Sequence, residues 1–235
     1  MIEGNRENSA TDQLLTALAE QLKMPLLQIT RLAETDSRQS LPHISVISQQ
    51  ALRLVDAYVQ AQTLMQTELV LEPVTTSAVL YDVAQELQPF AAHHEVTIEL
   101  DQKGSAVPVL AHQATLKTLL TLLAASLIES ASELAEPRQS SKRLVLGTHR
   151  AVKGTVVGAF SENAEVTQRA LRLTRELRLD TPHAIRALGM SGATALAIAD
   201  QLSNQLTAPL KAYRHRNLTG VGGLLLPSRQ LQLVL

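Results

Sequence analysis

The residues of widest chemical range in this sequence are seven histidines: His43, His93, His94, His112, His149, His183 and His215. Imidazole can ligate a metal or move a proton near neutral pH. None of the seven falls in an HExxH or comparable ligand spacing, so the spacing gives no metal site. A Ser-His-Asp constellation cannot be read from position, because geometry places its members. The absence of cysteine removes thiolate nucleophiles, disulfides and thiolate zinc sites. Arg169, Arg172, Arg175 and Arg178 recur every third residue among leucines, and Lys211, Arg214, His215 and Arg216 form a second basic group. Either could meet phosphate. A solvated amphipathic face, with arginine stems lying along apolar surface, fits the balanced total charge better. One carboxylate, Glu20, sits five residues before a proline inside a helical pattern.

These residues belong to a chain of 235 residues that is 45% hydrophobic and 18% charged, enough for one large domain or two small ones. The net charge of −1 argues against broad electrostatic binding of nucleic acid. Five aromatic residues are too few for a base-stacking platform, so the core must be aliphatic. The longest apolar run, Leu116 to Ile128, is interrupted by Lys117, Thr118, Thr121 and Ser126 and is short of the roughly 20 residues a bilayer requires. The opening MIEGNRENSATDQ has no hydrophobic h-region, so a signal peptide is not expected and a cytoplasmic location is.

The elements that must position the candidates follow from periodicity. Leu15, Leu18, Leu22, Pro25, Ile29 and Leu32 recur at spacings of three and four, the seam of an amphipathic helix that Ser9 or Thr11 would cap. A polar break at residues 35–42 precedes a second seam of Ile44, Ile47, Ala51, Leu54, Tyr58, Ala61 and Met65. Two such helices make a thin layer, and a four-helix bundle formed by two copies would cover both seams. Residues 1–67 are read as this hairpin and 68–235 as a second domain. In the latter, residues 76–92, 113–130, 165–179 and 194–206 read as helices. Segments 68–72, 95–100, 107–111, 143–149, 154–160, 210–215 and 222–235 read as strands. That order predicts an α+β sandwich behind an antiparallel helical hairpin.

The segment Glu20-Gln21-Leu22-Lys23-Met24-Pro25-Leu26 resembles the H-box of sensor histidine kinases, His-Glu-Leu-Arg-Thr-Pro-Leu, with Leu22, Pro25 and Leu26 matching and Glu20 at the phosphorylated histidine. The element order resembles that family over more than 200 residues. Ala111 to Ser130 resembles the run into the N-box. Gly220-Val221-Gly222-Gly223-Leu224-Leu225-Leu226-Pro227 resembles the terminal Gly-x-Gly and Leu-Pro end. The resemblance implies a dimerisation hairpin followed by a histidine-kinase-like ATP-binding sandwich.

It also implies a lost chemistry. The N-box asparagines, one of which would hold Mg²⁺, fall at Thr121 and Ala125. No DxGxG follows the strand ending Gly158-Ala159-Phe160. At the second glycine box, expected at a helix start where amides bind phosphate, Ala193 and Ala195 stand in Ser191-Gly192-Ala193-Thr194-Ala195-Leu196. The expectation is therefore a degenerate, non-catalytic member with no cofactor and no metal. It would be a homodimer through Leu15, Leu18, Leu22, Ile29, Ile47, Leu54 and Tyr58. A response-regulator receiver domain would dock on Glu20, Met24, Leu27, Gln28 and Arg31, which share one helical face. Packing of Met24 and Leu27 on the chain's own sandwich is the competing expectation for that face. The alternative functions are a divergent kinase or histidine phosphotransferase that still binds ATP, and a structural dimer outside signalling.

Overall fold

The computed structural model describes residues 2–35, 40–102, 108–134, 142–162, 167–176 and 182–228. Two long helices, α1 (Ile2–Glu34) and α2 (Ser40–Leu64), form the expected hairpin. α1 runs through Ser9 and Thr11, so neither caps it. Pro25 lies inside it, and Pro42 lies in the first turn of α2, where its missing N–H is not needed.

The rest is an α+β layer structure. Short strands β1 (Glu72–Val74) and β3 (Val109–Ala111) pair antiparallel. The strand expected at 68–72 begins only at Glu72. The main sheet has the order β2 (Val96–Asp101), β4 (Lys142–Ala151), β5 (Gly154–Ser161), β7 (Leu218–Leu225), β6 (Lys211–His215). Only β2–β4 is parallel, and the other three pairings are antiparallel. Helices α3 (Thr76–His93), α4 (Gln113–Leu134), α5 (Gln168–Arg175) and α6 (Pro182–Gln205) complete the domain. The end of the strand expected at 222–235 lies outside the described residues.

α4 is long and apolar enough to cross a bilayer, yet 78% of its Gln113–Ala131 window is buried inside the fold. Leu116, Leu120, Leu123, Leu127 and Ile128 are all fully or almost fully buried. A helix apolar nearly all round needs neighbours on every side, and α4 packs against α2, α3, α6 and the sheet.

The hairpin does not stand apart from this core. Leu14 and Leu18 of α1 and Leu54, Ala57 and Ala61 of α2 belong to the same buried cluster as Leu87, Leu120 and Ile198. α2 packs on α3, α4 and α6, and α1 packs on α6. Arg175 on α5 adds a polar tie. Its guanidinium donates to both Asp200 oxygens at 2.9–3.1 Å and to the Leu210 carbonyl. One member of the arginine row is thus a structural fork, bidentate as only arginine can be.

Candidate functional site

The positions that would carry kinase chemistry lie on three helices. Glu20 is exposed on α1 and pairs with Lys23 one turn on, both side chains more than 60% accessible. The partner-face residues are exposed as well: Met24 and Leu27 are each 52% accessible, and Gln28 and Arg31 are open. The competing expectation is packing of Met24 and Leu27 on the chain's own sandwich; Leu27 is open, whereas Met24, also exposed, lines the space between α1, α2 and α3.

The expected dimer seam divides. Leu18 and Leu54 are 4% and 7% accessible inside the single chain and have almost no surface left for a partner. Tyr58 and Leu22 are half-buried and pack on the same core, and Ile29 and Ile47 are half-buried. Leu15 alone of that set is open, at 50%. The reason is that the sandwich covers the very face that the three-and-four spacing marks as apolar. A different set stays open: Leu26 on α1, and Leu41, Leu52 and Val59 on α2.

On α4, Thr121 and Ala125 lie one turn apart and are both buried. Thr121 lines a groove of about 260 Å³ that also carries Arg53 and Gln60 of α2, Glu86 of α3 and Lys117 of α4. The charges there balance, since Glu86 accepts from Arg53 and Lys117 at 3.2 and 2.9 Å and Asp56 lines the same groove.

The glycine-box positions differ most from expectation. Ser191 to Leu196 does not open a helix. It lies well inside α6, which starts at Pro182. Interior helix amides are bonded to the carbonyls four residues back, so this segment presents no free N–H groups to a phosphate. Ala193 and Ala195 are 1% and 5% accessible. Helices α4 and α6 form the most extensive helix–helix contact among the described residues, and Ala124 and Ala125 on one and Ala193, Ala195 and Ala199 on the other are all buried. Thr181-Pro182 was the available sequence signal, because proline favours a first helical turn.

Where hairpin and sandwich meet there is a cavity of about 290 Å³. Gln21, Met24 and Gln28 of α1, Gln50 and Leu54 of α2, and Ala195 of α6 contribute to its lining. Phe90, His93 and His94 of α3 and Glu129 of α4 close it. It therefore brings together two residues of the partner face and one glycine-box position, while Glu20 stays outside. Gln50 Oε1 is buried with no hydrogen-bond partner. Burial, then the neighbouring His93 and Lys142, lowers His94 to a pKa of about 4, so the ring is neutral at pH 7.

A second polar cluster, on the outer sheet face, was missed in the sequence because its members are far apart. His215 Nε2 lies 2.8 Å from Asp101 Oδ2, and its Nδ1 lies 3.4 Å from His149 Nδ1. Arg216 also reaches Asp101, at 2.6 Å. The His215 ring stacks on Phe160 with centroids 4.8 Å apart. It sits over Gly147, where a Cβ would come within 3.1 Å of its Nε2.

No protein-family model and no curated protein matches the chain. Solved structures do. The Acinetobacter baumannii histidine kinase AdeS superposes with a TM-score of 0.55 at 11% identity, over 89% of this chain and 98% of that one. Full-length ShkA, solved with AMPPNP, gives 0.55 at 16% identity over 92% of this chain. The histidine kinase ThkA, solved with the response regulator protein TrrA, gives 0.52 at 12% identity over 93%. The chain spans 46% of the ShkA chain and 61% of the ThkA chain. Hairpin, mixed five-stranded sheet and helical layer together give this protein a histidine-kinase-like fold.

Proposed function

We propose that the chain is a non-catalytic, cytoplasmic histidine-kinase-like module that acts as a homodimer and binds a response-regulator receiver domain in two-component signalling. The observation that carries the non-catalytic part is the course of α6. The segment that would cradle phosphate is helix interior, packed on α4. Glu20 supports it, because it stands at the expected phosphoacceptor position without the imidazole nitrogen on which a phosphohistidine is built. Thr121 and Ala125 support it too, since neither offers the amide oxygen that a hard Mg²⁺ would take.

The partner part rests on the face of α1 below Glu20. Met24 and Leu27 form an open apolar centre, and Lys23, Gln28 and Arg31 form a polar rim. ThkA, a structural neighbour, was solved with a response regulator. The homodimer rests on Leu15, Leu26, Leu41, Leu52 and Val59, apolar residues about half or more accessible in the single chain.

The test is capture of a receiver-domain protein by the tagged full chain, identified by mass spectrometry. Leu27→Asp should abolish capture and leave the melting temperature almost unchanged, because Leu27 is open. Undiminished capture by a folded Leu27→Asp protein removes this face. Failure of the unmodified protein to capture any receiver domain removes the partner reading and favours a structural dimer.

A further inference from the structure

Histidine spacing holds no metal signature, but the fold brings together two histidines fifty residues apart. His43 near the start of α2 and His93 at the end of α3 have their Nδ1 atoms 3.1 Å apart. Their ring centroids are 4.9 Å apart, with the planes at 63°. The rings thus spread away from their Nδ1 atoms. Nδ1 atoms this close leave room for one ion about 2 Å from both, which is a zinc–imidazole bond length. An ion at that point would see the two nitrogens at an angle of about 100°, close to tetrahedral.

Access favours the same site. Both rings are exposed, so an ion and its waters can reach them without opening the fold. The other close histidine pair, His149 and His215, is a poorer host. His215 is 5% accessible, stacked on Phe160 and wedged over Gly147, leaving no room for hydrated metal.

We propose that His43 and His93 form a two-imidazole site for a divalent transition ion of the Zn²⁺, Ni²⁺ and Cu²⁺ class, and that the bound ion staples the start of the second hairpin helix to the end of the first sandwich helix. Imidazole suits these ions and does not suit Mg²⁺ or Ca²⁺. Among the described residues no group of three or more His, Asp or Glu side chains converges on a metal position. Water would therefore complete the coordination. Each neutral ring keeps its one proton on Nε2 when Nδ1 binds, so the rings release no net proton on loading.

The experiment is calorimetric titration of the metal-free full chain with ZnCl₂, alongside melting curves with and without the ion. The expected result is saturable binding of one ion per chain and a rise in melting temperature on loading. His43→Gln and His93→Gln should each weaken binding at least tenfold, while His149→Gln should leave it unchanged. Metal-free melting of the two variants, whose side chains are exposed, should match the unmodified protein and so show that they fold. No saturable binding, undiminished binding in either His43→Gln or His93→Gln, or loss confined to His149→Gln would overturn the proposal.

Discussion

His94 shows how burial turns a residue into a liability at low pH. Its folded pKa of about 4 lies below the usual imidazole value near 6.5. Between those values the unfolded chain binds a proton that the folded chain refuses, so the unfolded state gains on acidification. Stability contributed by neutral His94 is complete above about pH 6.5 and is lost as pH falls through about pH 4. Replacing His94 by Gln should therefore flatten the fall of the urea midpoint over that interval. A slope identical to that of the unmodified protein would show that other groups set it. Nothing in the sequence marks this histidine. His94 follows the helix read at residues 76–92, and it is half-buried at the cavity between hairpin and sandwich, beside Phe90, whose ring centroid is 4.6 Å away.

At the level of elements, α6 decides what the segment at the expected glycine box can do. The sequence shows that Ala193 and Ala195 stand where glycines are expected, but not that the backbone around them is helical. Restoring both glycines tests which matters. If the added Cβ atoms alone blocked nucleotide, Ala193→Gly with Ala195→Gly should recover ATP binding. With the amides held in helix, calorimetry with ATP·Mg²⁺ at millimolar concentration should give no saturable heat for this variant or for the unmodified protein. The double change should lower the melting temperature, since glycine inside a helix costs about 1 kcal/mol per site and two buried methyl groups are lost. Saturable heat from either protein would return the chain to the nucleotide binders. Strands β2, β4 and β5 and helices α3 and α4 were legible because alternation or continuous apolarity reports directly on burial. The start of α6 was not, because the stretch before Ser191 has little periodicity of its own and Thr181-Pro182 was the one signal it offered.

At the scale of the whole molecule, the hairpin carries two apolar faces, and the sandwich covers one of them. The strongest heptad seam pointed to a partner chain, yet the sandwich fills it, and a monomer sequence pattern cannot say which neighbour covers a stripe. Size-exclusion light scattering separates the two faces. Leu52→Asp, 60% accessible in the single chain, should convert the dimer to a folded monomer. Leu54→Asp, 7% accessible, should instead unfold the protein, because it strands a carboxylate in the shared core. A dimer that survives Leu52→Asp would rule out this face of α2. The shared core has one more consequence. Leu14, Leu18, Leu54, Ala57 and Ala61 are packed with the sandwich's own leucines, so the hairpin cannot swing as a rigid lever without exposing them to water. Slow amide exchange should therefore form a single foldon joining the second half of α2 to α4, with the open second half of α1 exchanging outside it. If that foldon holds, a message entering at the free half would travel inward by local melting rather than as a lever stroke.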